Sequence, residues 1–195
     1  MTLAQATLLL ALAAPPGPPP GSRPGPAAAP ADLSEADVRR RVEALLGAID
    51  TPVREEAVRA LGPRGPAVLA AVAADASEWP SRRARAVWGL SVVGGIEAER
   101  TLAVLSGSAG EPFSVRVAAI EGLGRLLLPS QLVASLTPVL EEPGAARVRA
   151  VAAEVLARRA PETACAAVRD RIGRESPEER PMFHRAAAAC GGEGR

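Results

Sequence analysis

Apolar residues recur along this chain at helical spacing, and the fullest run is residues 112–127, PFSVRVAAIEGLGRLL. That run predicts one amphipathic helix, because its apolar positions fall on one stripe of a 3.6-residue repeat. The pattern appears about four times. Arg54, Ala57, Val58 and Leu61 share a frame with Arg83, Ala86, Val87 and Leu90. Arg116, Ala119, Ile120 and Leu123 repeat it, as do Arg149, Ala152, Ala153 and Leu156. The arginines step by 29, 33 and 33 residues. A period of that size is the mark of stacked repeats, each too small to bury its own stripe. The alanine column lets packed helices approach closely.

Shorter apolar segments alternate with these helices, and Pro and Gly punctuate the boundaries. Gly62-Pro63, Trp79-Pro80, Gly94-Gly95, Glu111-Pro112, Pro129, Pro143-Gly144, Pro161 and Ser176-Pro177 mark the turns. Pro suits a first helical turn and Gly a helix end. Ten helices in five pairs are predicted: 35–49 with 52–61, 66–75 with 81–93, 96–106 with 112–127, 130–141 with 145–159, and 162–174 with 178–190. Ser34 reads as the first N-cap, with Asp37 completing a capping-box-like arrangement. Val38, Val42, Leu45, Leu46 and Ile49 form the stripe of that helix, and Arg39, Arg40 and Arg41 lie off it. The fold class is therefore all-α: a right-handed α-solenoid of about five stacked antiparallel hairpins. The last helix, carrying Phe183, His184 and Ala187, fits the frame loosely, as a terminal cap does.

Before the repeats the pattern changes. Residues 1–14, MTLAQATLLLALAA, contain an apolar run too short to span a bilayer. It reads as the h-region of a secretory signal peptide, with a cytosolic tail as the alternative. Ala29-Pro30-Ala31 and Ala11-Leu12-Ala13 both have the form of a cleavage site. No Cys follows the h-region, which argues against a lipoprotein anchor. Residues 15–31 are rich in Pro, Gly and Ala and predict an extended, disordered linker. Residues 32–195 hold the repeats.

Composition alters this picture little. Hydrophobic residues make up 48% of the 195 residues but aromatics only 2%, so the core is built from Ala, Leu and Val. Lys, Asn and Tyr are absent. A net charge of +1 gives no general argument for nucleic acid or an acidic partner.

The form V-R-x-x-A-apolar-x-x-L-G, seen as VREEAVRALG and VRVAAIEGLG, resembles HEAT repeats over about residues 35–190. It is most similar to the HEAT-like subtype of the phycobilin lyases, within the wider armadillo/HEAT class of superhelix. The second copy departs from it at Arg82 and the fourth at Ala157. The resemblance implies that the arginine-bearing helices face a concave surface. It implies nothing firm about activity, although some relatives are lyases.

Two helical columns would then line that surface. One is Arg59, Trp88, Glu121 and Glu154; the other is Pro63, Val92, Arg125 and Arg158, with Arg85 beside Trp88. Trp and Arg are the residue types of binding hot spots. Arg59, Arg85, Trp88, Glu121, Arg125, Glu154 and Arg158 are thus candidate partner contacts, although Trp88 can equally pack between repeats. The column Arg54, Arg83, Arg116 and Arg149 has a structural reading, because Asp50, Glu78, Glu111 and Glu142 precede the arginines in the turns. Ligand binding is its alternative.

Cys165 and Cys190 lie equally far from the turn at Ser176-Pro177 and on facing stripes, which predicts either a disulfide or two buried thiols. A disulfide would agree with export to a periplasmic or extracellular compartment, with the cytoplasm as the alternative. Catalytic chemistry finds no constellation. His184 is the single histidine, six residues from Cys190 on another face, and neither a metal set nor a phosphate loop is present. The expectation is a monomeric, non-enzymatic scaffold of an exported bacterial protein that binds a protein partner. It has no cofactor, no nucleic-acid role and no membrane span. The alternative is an accessory or lyase-type subunit holding a cofactor on the same face.

Overall fold

The computed structural model describes residues 33–48 and 51–191. Residues 1–32, with the apolar run, both cleavage-site candidates and the linker, lie outside the described residues, as do Ile49 and Asp50. The described residues contain helices and turns and no strand. The helices are α1 (Glu35–Gly47), α2 (Glu55–Arg59), α3 (Gly65–Ala74), α4 (Pro80–Val93) and α5 (Ile96–Gly107). They continue with α6 (Phe113–Leu126), α7 (Pro129–Leu140), α8 (Ala146–Arg159), α9 (Pro161–Arg174) and α10 (His184–Ala189). A 3₁₀ turn, Arg180–Phe183, precedes α10.

Local chemistry sets the ends. The Ser34 hydroxyl accepts from the Asp37 N–H at 3.2 Å and donates to its carboxylate, which starts α1. Gly94, with φ of 67°, stops α4 in a conformation that side chains resist. The expected helix over 52–61 shrinks to five residues, because the backbone stays extended through Arg54 and reaches the Gly62 turn soon after. The expected helix over 178–190 is divided. Pro181, which has no N–H to donate, sits within its first turns, and the chain winds as 3₁₀ before α10. Conversely, α7 runs through Pro138 without ending, since that residue lies in its final turn.

Consecutive helices pack as α3 on α4, α5 on α6, and α7 on α8. Each even-numbered helix from α2 to α10 also packs on the next even one, and each odd-numbered helix on the next odd one. The two sets share a core of Val38, Val58, Leu69, Leu90, Leu102, Ile120, Leu123, Leu136, Leu156 and Phe183, all buried. Ala86, Ala119 and Ala152 are fully buried where even helices meet; Ala57 is half-buried. Gly124 marks the closest approach: a Cβ built there would lie 2.6 Å from Val155 Cγ1.

Candidate functional site

The arginine column divides. Arg83, Arg116 and Arg149 occupy the fourth helical position of α4, α6 and α8, each donating its backbone N–H to the N-cap carbonyl of Trp79, Pro112 or Ala145. From there each side chain turns inward and is 3% exposed. Arg83 Nε donates to the Ala73 carbonyl at 2.8 Å, and Arg116 Nε to the Ser106 carbonyl at 3.1 Å. Arg149 Nη1 donates to the Glu142 carbonyl at 2.9 Å. Each guanidinium thus closes the C-terminal end of the preceding odd helix, where carbonyls lack intrahelical partners.

Each also meets the acid of the following turn. Arg83 Nη2 lies 2.6 Å from Glu111 Oε2, in contact as an ion pair but without hydrogen-bond alignment. Arg116 holds Glu142 through two N–H groups. Arg149 holds Glu175 through Nε at 2.8 Å and Nη2 at 2.6 Å. For Arg83, Arg116 and Arg149, the carboxylate in the arginine's own turn is therefore not the one it pairs with. Glu78 pairs with Arg82 at 3.4 Å. Arg54 stands apart: it is the N-cap of α2, exposed, and carries no ion pair among the described residues.

Arg85 takes over the capping that Arg54 leaves undone. Reaching from α4, it donates to the carbonyls of Leu45 at 3.1 Å, Thr51 at 2.9 Å and Ala48, at the end of α1. Its guanidinium is committed to three backbone carbonyls of the chain. Arg59 pairs with Glu55 at 2.7 Å on the exposed side of α2.

The remaining candidates gather. Glu121 and Arg125 of α6 and Arg158 of α8 line one open groove of about 640 Å³, with Gly124, Val155 and Arg159. Trp88, half-buried against the core, joins through Arg125, whose guanidinium lies 6.0 Å from the ring centroid. Glu154 does not line the groove; it pairs with Arg158 at 3.2 Å and with Arg185 at 3.7 Å. Arg159 was not distinguished by the column argument. Its signal was the doubled Arg-Arg end of α8, which puts one arginine on each side of the stripe.

At the C-terminal end the sulfurs of Cys165 and Cys190 lie 2.01 Å apart, at disulfide distance, joining α9 to the end of α10. Arg169 Nη1 donates to the Cys190 carbonyl at 3.0 Å across the same contact. Among the described residues no group of three His, Cys, Asp or Glu side chains is placed to hold a metal. No helix among them is long and apolar enough to cross a membrane. No family profile matches the chain, and comparison with curated proteins and with solved structures returned no match.

Proposed function

We propose that this protein is a non-enzymatic scaffold, a HEAT-like α-solenoid that binds a protein partner on the face carried by α4, α6 and α8. The ordered packing of even on even and odd on odd helices supports the solenoid reading. So does the recurrence of the arginine–carboxylate pair at the same place in three successive helices, α4, α6 and α8. The observation that carries the binding role is the groove between α6 and α8, where Glu121, Arg125 and Arg158 converge beside Trp88. Charged groups beside a half-buried aromatic are the setting in which interface hot spots form. An exported location is part of the proposal. The disulfide-distance pair Cys165–Cys190 fits an oxidising compartment, and the apolar run at residues 8–14 fits a signal peptide.

A photocrosslinking residue placed at position 121 in the native cells tests the binding face. The same residue at position 104, exposed on α5, is the control. A discrete polypeptide adduct from position 121 and none from 104 is expected. Equal adducts from both positions, or none from 121, would overturn the reading.

A further inference from the structure

The groove between α6 and α8 carries more positive charge than the chain as a whole. Three of its six lining residues are arginines and one is a glutamate, in a protein of net charge +1. Helix register explains why part of this charge stays unpaired. Arg158 finds Glu154 four residues back, but the residue four before Arg159 is Val155. Arg159 is exposed and has no ion pair among the described residues. Its stem crosses the gap at Gly124, with Cγ 3.8 Å from where a Cβ would stand. Arg125 has Glu121 four residues back, yet its guanidinium lies over Trp88 and forms no ion pair with it. A basic last turn on α8 complements that helix's own dipole. The dipole does not account for arginines from two helices opening onto one groove.

Resting on the partner-binding reading, we propose that this groove receives an acidic, extended peptide segment of the partner, with side-chain carboxylates seated on Arg125, Arg158 and Arg159. Guanidinium groups pair with carboxylates through two parallel N–H bonds, so a few arginines give both charge and direction. Glu121 fixes the opposite end of the register by accepting from a backbone N–H or a basic side chain. Nucleic acid fits less well. Glu121 opposes a run of phosphates, and the Trp88 face on which a base would stack is occupied by Arg125.

The chain has two tryptophans, so full-length protein carrying Trp79→Phe leaves Trp88 as the sole indole. The probe is a fluorescein-labelled decaglutamate peptide, followed by anisotropy and by Trp88 emission, with a ten-nucleotide oligothymidylate as competitor. Saturable binding, a change in Trp88 emission and weakening with added salt are expected. Arg158→Glu with Arg159→Glu should weaken binding at least tenfold, and Arg100→Glu, exposed on α5, less than twofold. The milder pair Arg158→Gln with Arg159→Gln should weaken it severalfold and serves where charge reversal lowers the helical signal. Non-saturable binding, equal affinity in the groove variants, or oligothymidylate bound as tightly at the groove would overturn the proposal. If the adduct at position 121 survives while the peptide fails to bind, only the acidic recognition falls. Loss of both removes the binding face as well.

Discussion

Glu175 is a carboxylate whose side chain is shut off from solvent, and three arginine N–H groups keep it charged. Hydrogen bonds from Arg149 come first among the causes that push its pKa down to about 2 from an ordinary 4.5, against the opposing effect of burial. The same bonds raise the pKa of Arg149. Because the folded carboxyl titrates below the unfolded one, its stabilising contribution is complete above pH 4.5 and is lost as pH falls toward 2. Melting curves of the native chain and Glu175→Gln should therefore differ at pH 7 and draw together across that interval. Glu175→Ala removes the closer of two carboxylates at Arg149, leaving only Glu179 at 3.6 Å, and urea unfolding should show a loss of about 3 kcal/mol. Gly124→Val meets a different obstacle. Its first side-chain carbon would already be too close to Val155, so overpacking should cost about 1–3 kcal/mol in the same measurement. Glu175 was not singled out by the sequence, and Gly124 only as the last residue of the repeated form. The apolar stripe says which side of a helix is buried. It does not say which acid 26 residues further on a buried arginine will reach.

Among the elements, α1 depends on a side chain three helices away. Arg85→Ala removes three donors from the carbonyls at its end. Hydrogen exchange of the last turn of α1 should quicken by about tenfold, the effect of losing roughly one to two kcal/mol of local bonding. The exchange of α6 should stay unchanged. Helix count, order and most boundaries were legible because Pro and Gly sit at nearly every turn and the stripe has one period throughout. The frame placed Arg54 in the buried column. It is excluded because α2 begins one residue after it, whereas α4, α6 and α8 begin three residues before their arginine. That offset depends on how many residues of a turn remain extended, which apolar spacing does not encode. The facing of Cys165 and Cys190 could be read, since equal distance from a turn and matching stripes are sequence properties. Their link closes a loop of 25 residues. Reduction should lower stability by about 3 kcal/mol and loosen α10 first, measured by thermal unfolding with and without reductant.

For the molecule as a whole, the stripe and the period indicated that helices of one kind would lie against one another, and the even and odd sets do so. The groove was legible only in part. Glu121, Arg125 and Arg158 fell in the predicted columns, but the division between arginines turned inward and arginines left outside is made by packing. The ion pairs of the three buried arginines all run in one direction along the chain. Arg116 and Arg149 each reach a carboxylate 26 residues closer to the C-terminus, and Arg83 reaches Glu111 in the same direction. Synthesis on the ribosome follows that direction too, so every such cation emerges before the anion that will neutralise it. A nascent chain ending after α8 carries Arg149 with its place made and its partner still untranslated. The helices α4, α6 and α8 can each coil as soon as they appear, but the charge each one buries is met only by the turn that follows.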